Sequence, residues 1–137
     1  MKKYILITGV FLFASLLSFS QTPYNVVFDL TSGDTTAQKT VIRWLNGISS
    51  SNPDAKLEVV LYGQSLSMVT RNKSSVEPQL QDVLKNKNVS FKVCEQAMKR
   101  HQIDKSQLLP GIETVPDGIY EIISKQKEGY GYIKAAQ

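Results

Sequence analysis

Two nearly unbroken apolar runs, Tyr24–Leu30 and Leu57–Gly63, constrain the fold of this 137-residue chain more than any other feature. Strands with so little alternation are covered on both faces, as in parallel sheets. Between them Ala37, Val41, Leu45 and Ile48, with Trp44 beside them, recur at helical spacing. Thr31-Ser32-Gly33-Asp34 reads as the loop before that helix, with Asp34 or Thr35 as its cap and Thr35 with Gln38 as a capping box. The loop lacks the glycine spacing and the lysine of a phosphate cradle. The polar run from Ser49 to Pro53 ends the helix.

The pattern then repeats. Leu66, Met68 and Val69 suggest a short helical turn, and Pro78 opens a helix carrying Leu80, Val83 and Leu84. Val89, Phe91 and Val93 alternate with Ser90 and Lys92, the period of a strand. Glu95 to His101 is rich in helix formers. Ile112–Val115 is a short strand, Pro116-Asp117-Gly118 starts a helix whose apolar face is Ile119, Ile122 and Ile123, and Gly129–Ile133 is a last strand. Helices separating apolar strands imply right-handed crossovers and a mostly parallel sheet, so the expected fold class is α/β, a three-layer α/β/α sandwich.

The N-terminus reads as an address. Lys2 and Lys3 precede an apolar run from Tyr4 to Leu17, and Ser18-Phe19-Ser20 places small residues where a signal peptidase reads. The run is short for a membrane span of ~20 residues. Residues 1–20 are therefore expected to be a signal peptide and residues 21–137 a single exported domain, periplasmic or secreted, with no stable membrane anchor after cleavage. Gln21 follows the cut, which disfavours lipidation. The leader holds two of the sixteen Lys and Arg residues and none of the twelve acidic ones, so the net charge falls from +4 to +2 on cleavage. No basic stripe interleaved with aromatics appears, which argues against nucleic acid as a partner.

Chemistry converges on Cys94. It is the single cysteine, so no intrachain disulfide can form, and it stands where the strand pattern changes to the helix pattern. Ligands and reactive groups collect at the carboxyl ends of strands in open parallel sheets, and the positive end of a helix dipole favours a thiolate. Cysteine is also among the most buried residue types, which keeps a plain core role open. His101, two helical turns further on at ~11 Å of rise, is too far to activate the thiol and is read as a solvated residue. Lys99 and Arg100 read as a solvated face; Trp44, Phe28 and Phe91 read as core; Asp29 reads as a loop cap near the same rim. One His and one Cys cannot build a metal site, no Ser-His-Asp pattern is present, and no cofactor is implied.

The segments Val93–Arg100, Leu108–Ile112, Val115–Gly118 and Glu128–Lys134 resemble the DsrE/DsrF-like family, in particular its small exported members. The resemblance spans Tyr24 to Lys134. It implies a five-stranded parallel sheet of order 4-3-2-1-5 and assembly as a trimer or hexamer. It also implies that a cysteine at the position of Cys94 accepts and passes on sulfur as a persulfide. The chain has Tyr62-Gly63 where many relatives carry His-Gly, and His101-Gln102 where a glycine commonly ends the cysteine-bearing helix. Two readings follow. The first is a persulfide carrier using Cys94 as its catalytic residue, with a sulfur donor or acceptor protein as partner. The second is a non-catalytic homo-oligomeric binding or scaffold module in which Cys94 is structural.

Overall fold

The computed structural model describes residues 23–135. The expected signal peptide and its cleavage point lie outside the described residues. Five strands form one sheet: β1 (Val26–Leu30), β2 (Leu57–Leu61), β3 (Val89–Cys94), β4 (Glu113–Val115) and β5 (Gly131–Ala135). All four neighbouring pairs are parallel and the order is β4-β3-β2-β1-β5, as the resemblance implied.

Four α-helices connect the strands: α1 (Thr35–Ser51), α2 (Glu77–Val83), α3 (Glu95–Arg100) and α4 (Gly118–Lys127), with 3-10 turns at Gly63–Val69 and Lys105–Gln107. The first three helices share one face of the sheet. There Phe28, Leu30, Val59, Leu61, Phe91 and Val93 pack with Val41 and Leu45 of α1, Leu80 of α2, and Ala97 and Met98 of α3. The opposite face is covered by α4, through Ile122 on Val27 and Val60. Strands β1 and β2 are buried along their whole length and β3 alternates, which matches their sequence patterns.

The termini of the helices explain where the sequence reading shifts. Asp34 caps α1, its carboxylate accepting from Ala37 N–H at 3.1 Å. Gln38 turns inward and donates to Gly33 O and Ser67 Oγ, so no Thr35–Gln38 box forms. Helix α4 ends in a Schellman turn: Gly129, at φ 91°, donates to Gln126 O, and Tyr130 donates to Lys125 O. Gly129 therefore belongs to the helix cap, and β5 begins two residues later than its sequence suggests.

Helix α3 closes with the same pair of bonds, from Gln102 to Lys99 O and from Ile103 to Met98 O. Here the left-handed position, φ 54°, is held by Gln102. A non-glycine residue pays roughly 1–2 kcal/mol for that conformation. Gln102→Gly is expected to stabilise the protein by roughly 0.5–1 kcal/mol after the added freedom of the unfolded chain is deducted. Urea unfolding of the two proteins checks it.

The α4 face differs most from its expectation. Ile122 is buried, but Ile119 is 60% exposed and Ile123 43%. Tyr120 joins them at 66%. One helix lying alone on a sheet buries a narrow stripe, and the rest of the apolar surface of α4 faces outward.

Candidate functional site at the carboxyl rim of the sheet

Helix α3 carries the chain from β3 to β4 over one face, whereas α4 leaves β4 over the other. Two adjacent strands whose outgoing connections part to opposite faces open a crevice at their carboxyl ends, the place where open α/β sheets put their sites. Cys94 is the last residue of β3 and lies in register with Val115, the last residue of β4. The thiol thus stands at the switch point of the fold. Its extended backbone, φ −68° and ψ 117°, makes it the N-cap residue of α3, the strand-to-helix change visible in the sequence.

The side chain follows the parity of Ser90 and Lys92 and lies on the α4 face, next to the first turn of that helix. A Cβ added to Gly118 would fall 3.1 Å from Cys94 Cβ, 3.2 Å from Val60 Cγ1 and 3.6 Å from Tyr62 Cδ1. Glycine at this position lets α4 close over the thiol. Cys94 is consequently only 6% exposed.

Polar ties hold the walls of this rim. Glu95 accepts from Thr114 Oγ1 at 2.8 Å and pairs with Lys105 at 2.7 Å, fixing the start of α3 to β4; Lys105 first, and Thr114 second, hold the Glu95 carboxyl below its ordinary range. Gln96 donates to Asp117 at 3.4 Å, and the other oxygen of Asp117 caps α4 by accepting from Ile119 and Tyr120 N–H. Asp29 is buried on the same face. It accepts from Tyr132 Oη at 2.7 Å and Lys134 Nζ at 3.0 Å, so it ties edge strand β5 to β1 and does not cap a loop. Lys134 Nζ also lies 5.6 Å from the centroid of the Tyr62 ring. Burial, with Asp29 adding, lifts the Tyr62 phenol well above its ordinary value. Tyr62 therefore carries no charge at neutral pH.

The remaining sequence-derived residues lie elsewhere. His101, Lys99 and Arg100 are exposed; Phe28 and Phe91 are fully buried; Trp44 is half-buried and stacks on Phe28 at 6.2 Å between centroids. Among the described residues no cluster of three or more His, Cys, Asp or Glu side chains is placed to hold a metal ion, and no helix is long and apolar enough to cross a membrane. The sequence places Gly118 only at a helix start and Tyr62 only in the second apolar run and as a departure from its relatives. The period of two would have put Val60 and Tyr62 on the face of Ser90, Lys92 and Cys94 once the register was known.

The family model for the DsrE/DsrF-like family matches residues 25–135. The chain belongs to the DsrE/DsrF-like family. Among solved structures it is similar to the protein of unknown function MTH1491 from Methanobacterium thermoautotrophicum, at 24% identity and a TM-score of 0.76, covering 81% of this chain and 98% of that one. It is also similar to the ychN protein from E. coli, at 13% identity and a TM-score of 0.61, with coverage of 83% and 98%. At these identities the likeness concerns the fold. The comparison with curated proteins gives no match.

Proposed function

We propose that this protein is an exported sulfur carrier that holds sulfur as a persulfide on Cys94. The observation that carries the reading is the position of the only cysteine at the switch point of the sheet, between the starts of α3 and α4. Family membership supports it, because relay members of the family use a cysteine at this place. In the first step the Cys94 thiolate attacks the sulfane sulfur of a donor such as a polysulfide. The donor S–S bond breaks, its leaving sulfur takes the electron pair, and Cys94 becomes Cys–S–SH. An acceptor thiolate then attacks the outer sulfur, and Cys94 departs as thiolate. This is thiol–disulfide exchange logic, with no metal and no net redox change.

The apolar groups left outside, Ile119, Tyr120 and Ile123 on α4 and Tyr132 on β5, support assembly as a homo-oligomer, a trimer or hexamer. The Lys2-Lys3, apolar and Ser-Phe-Ser order supports export with cleavage after Ser20. The near-complete burial of Cys94 favours the second reading, a non-catalytic oligomeric module with a packed cysteine.

Cys94→Ser separates the two. In a carrier the nearly isosteric swap leaves the melting temperature and the oligomer unchanged while sulfur uptake from polysulfide disappears. A variant that melts several degrees lower, beside a wild type that takes up no sulfur, supports the packed role.

A further inference from the structure

Under α4 lies a second group of titratable side chains. Glu58, on β2, is only 5% exposed, and its Oε1 is buried without a hydrogen-bond partner among the described residues. Its Oε2 accepts from Ser90 Oγ at 3.3 Å. Lys125 Nζ of α4 stands 4.0 Å from an oxygen of Glu58 and equally 4.0 Å from one of Glu121, but only 3.1 Å from Glu128. The cation therefore does not neutralise Glu58 by close contact. Lys92 of β3 faces the same carboxyl but is drawn to Glu113. Tyr130, Lys56 and Lys87, together with Glu58 itself, line an adjoining cavity of about 160 Å³.

Glu121 belongs to the first turn of α4, the turn whose Gly118 covers Cys94. Lys125 Nζ, 4.0 Å from an oxygen of each, places the Glu121 carboxyl beside that of Glu58. Two carboxylates so placed repel, whereas one proton between them makes a bond. The rest of α4 offers little hold, because only Gly118 and Ile122 of its ten residues are buried.

We propose that Glu58 and Glu121 form a proton-operated latch that sets how readily the first turn of α4 lifts and uncovers Cys94. The proposal rests on the reading of Cys94 as the working sulfur, since it concerns access to that atom. With Glu58 protonated, its hydroxyl supplies the missing donor, bonds to Glu121 and holds the turn down. Ionisation places a second negative charge beside Glu121 that Lys125 reaches only by leaving Glu128. Burial first, and the Glu121 carboxyl second, push Glu58 up to about 7, so the latch works around neutral pH. Because Ile119 and Tyr120 of the first turn also face outward, the movement uncovers Cys94 only where Ile123 and Tyr132 make the oligomer contact.

The test reads thiol access and leaves sulfur transfer aside. Native wild type, Glu58→Gln and Glu121→Gln, each at one fixed concentration and checked for fold by circular dichroism, react with methyl methanethiosulfonate between pH 5 and pH 8.5. Dividing the wild-type rate by the variant rate at each pH removes the intrinsic titration of the thiol. The ratio to Glu58→Gln should rise about tenfold across the range, the scale of one pKa unit of differential proton binding. The ratio to Glu121→Gln should rise in the same direction. Should Glu58→Gln not fold, Glu121→Gln carries the comparison alone. Ratios constant within twofold overturn the latch, whether or not Cys94 carries a persulfide.

Discussion

Acidification from pH 8 to pH 5 should stabilise this protein by roughly 2 kcal/mol more than it stabilises Glu58→Gln. The sign follows from linkage. Burial and the Glu121 carboxyl raise Glu58 from 4.5 to about 7, so the folded state binds the proton more tightly than the unfolded chain. The contribution is fully present below pH 4.5 and is lost as pH rises through about 7. At ~1.4 kcal/mol per pKa unit the whole interval is worth about 3 kcal/mol, which solvent in the adjoining cavity screens to roughly 2. Comparison with Glu58→Gln cancels opposing groups such as Glu95, whose carboxyl is held below its ordinary range by Lys105 and Thr114. Urea unfolding at a series of pH values reads the difference directly. Parallel stability curves for the two proteins would show that Glu58 ionises as freely folded as unfolded.

The second large effect is expected at Gly118. A Cβ there meets Cys94 Cβ at 3.1 Å and Val60 Cγ1 at 3.2 Å, and neither neighbour is the free end of a long side chain. Overpacking of this kind costs typically 1–3 kcal/mol. Gly118→Ala recovers part of that through helix propensity, about 1 kcal/mol. Gly118→Val adds two methyls to the same contact and should destabilise by about 3 kcal/mol. Because the strain is relieved by lifting α4, native Cys94 in Gly118→Val should also alkylate several-fold faster than in wild type. A valine variant with wild-type stability and wild-type alkylation would mean that α4 does not cover the thiol.

Both effects centre on residues that the sequence hides. The change from period two to helical period at Cys94 is legible, because alternation in Val89–Val93 and helix formers after Cys94 are local properties. So are the buried strands β1 and β2. The order of the sheet was not readable from spacing and came from the resemblance; right-handed crossovers constrain it without selecting it. Glu58 sits inside an apolar run, where its neighbours announce burial and nothing announces the carboxyl opposite it on a helix sixty-odd residues later. Asp29 looked like a loop cap because its partners, Tyr132 and Lys134, come from the far end of the chain. Ile119 and Ile123 have the spacing of a buried face, but spacing states only which residues share a side of the helix. How wide a stripe is covered depends on how many elements surround it, and α4 has the sheet alone. Gly118 carries no side chain to read; its meaning is the closeness of Cys94, Val60 and Tyr62.

Intact-mass spectrometry of the native wild-type protein, after incubation with polysulfide at neutral pH and removal of excess reagent, tests the role of Cys94 most directly. The carrier reading predicts the gain of one sulfur atom, mapped by fragmentation to Cys94 and lost on treatment with dithiothreitol. A native protein whose mass does not change, and whose Cys94 takes up sulfur only after denaturation, would contradict it.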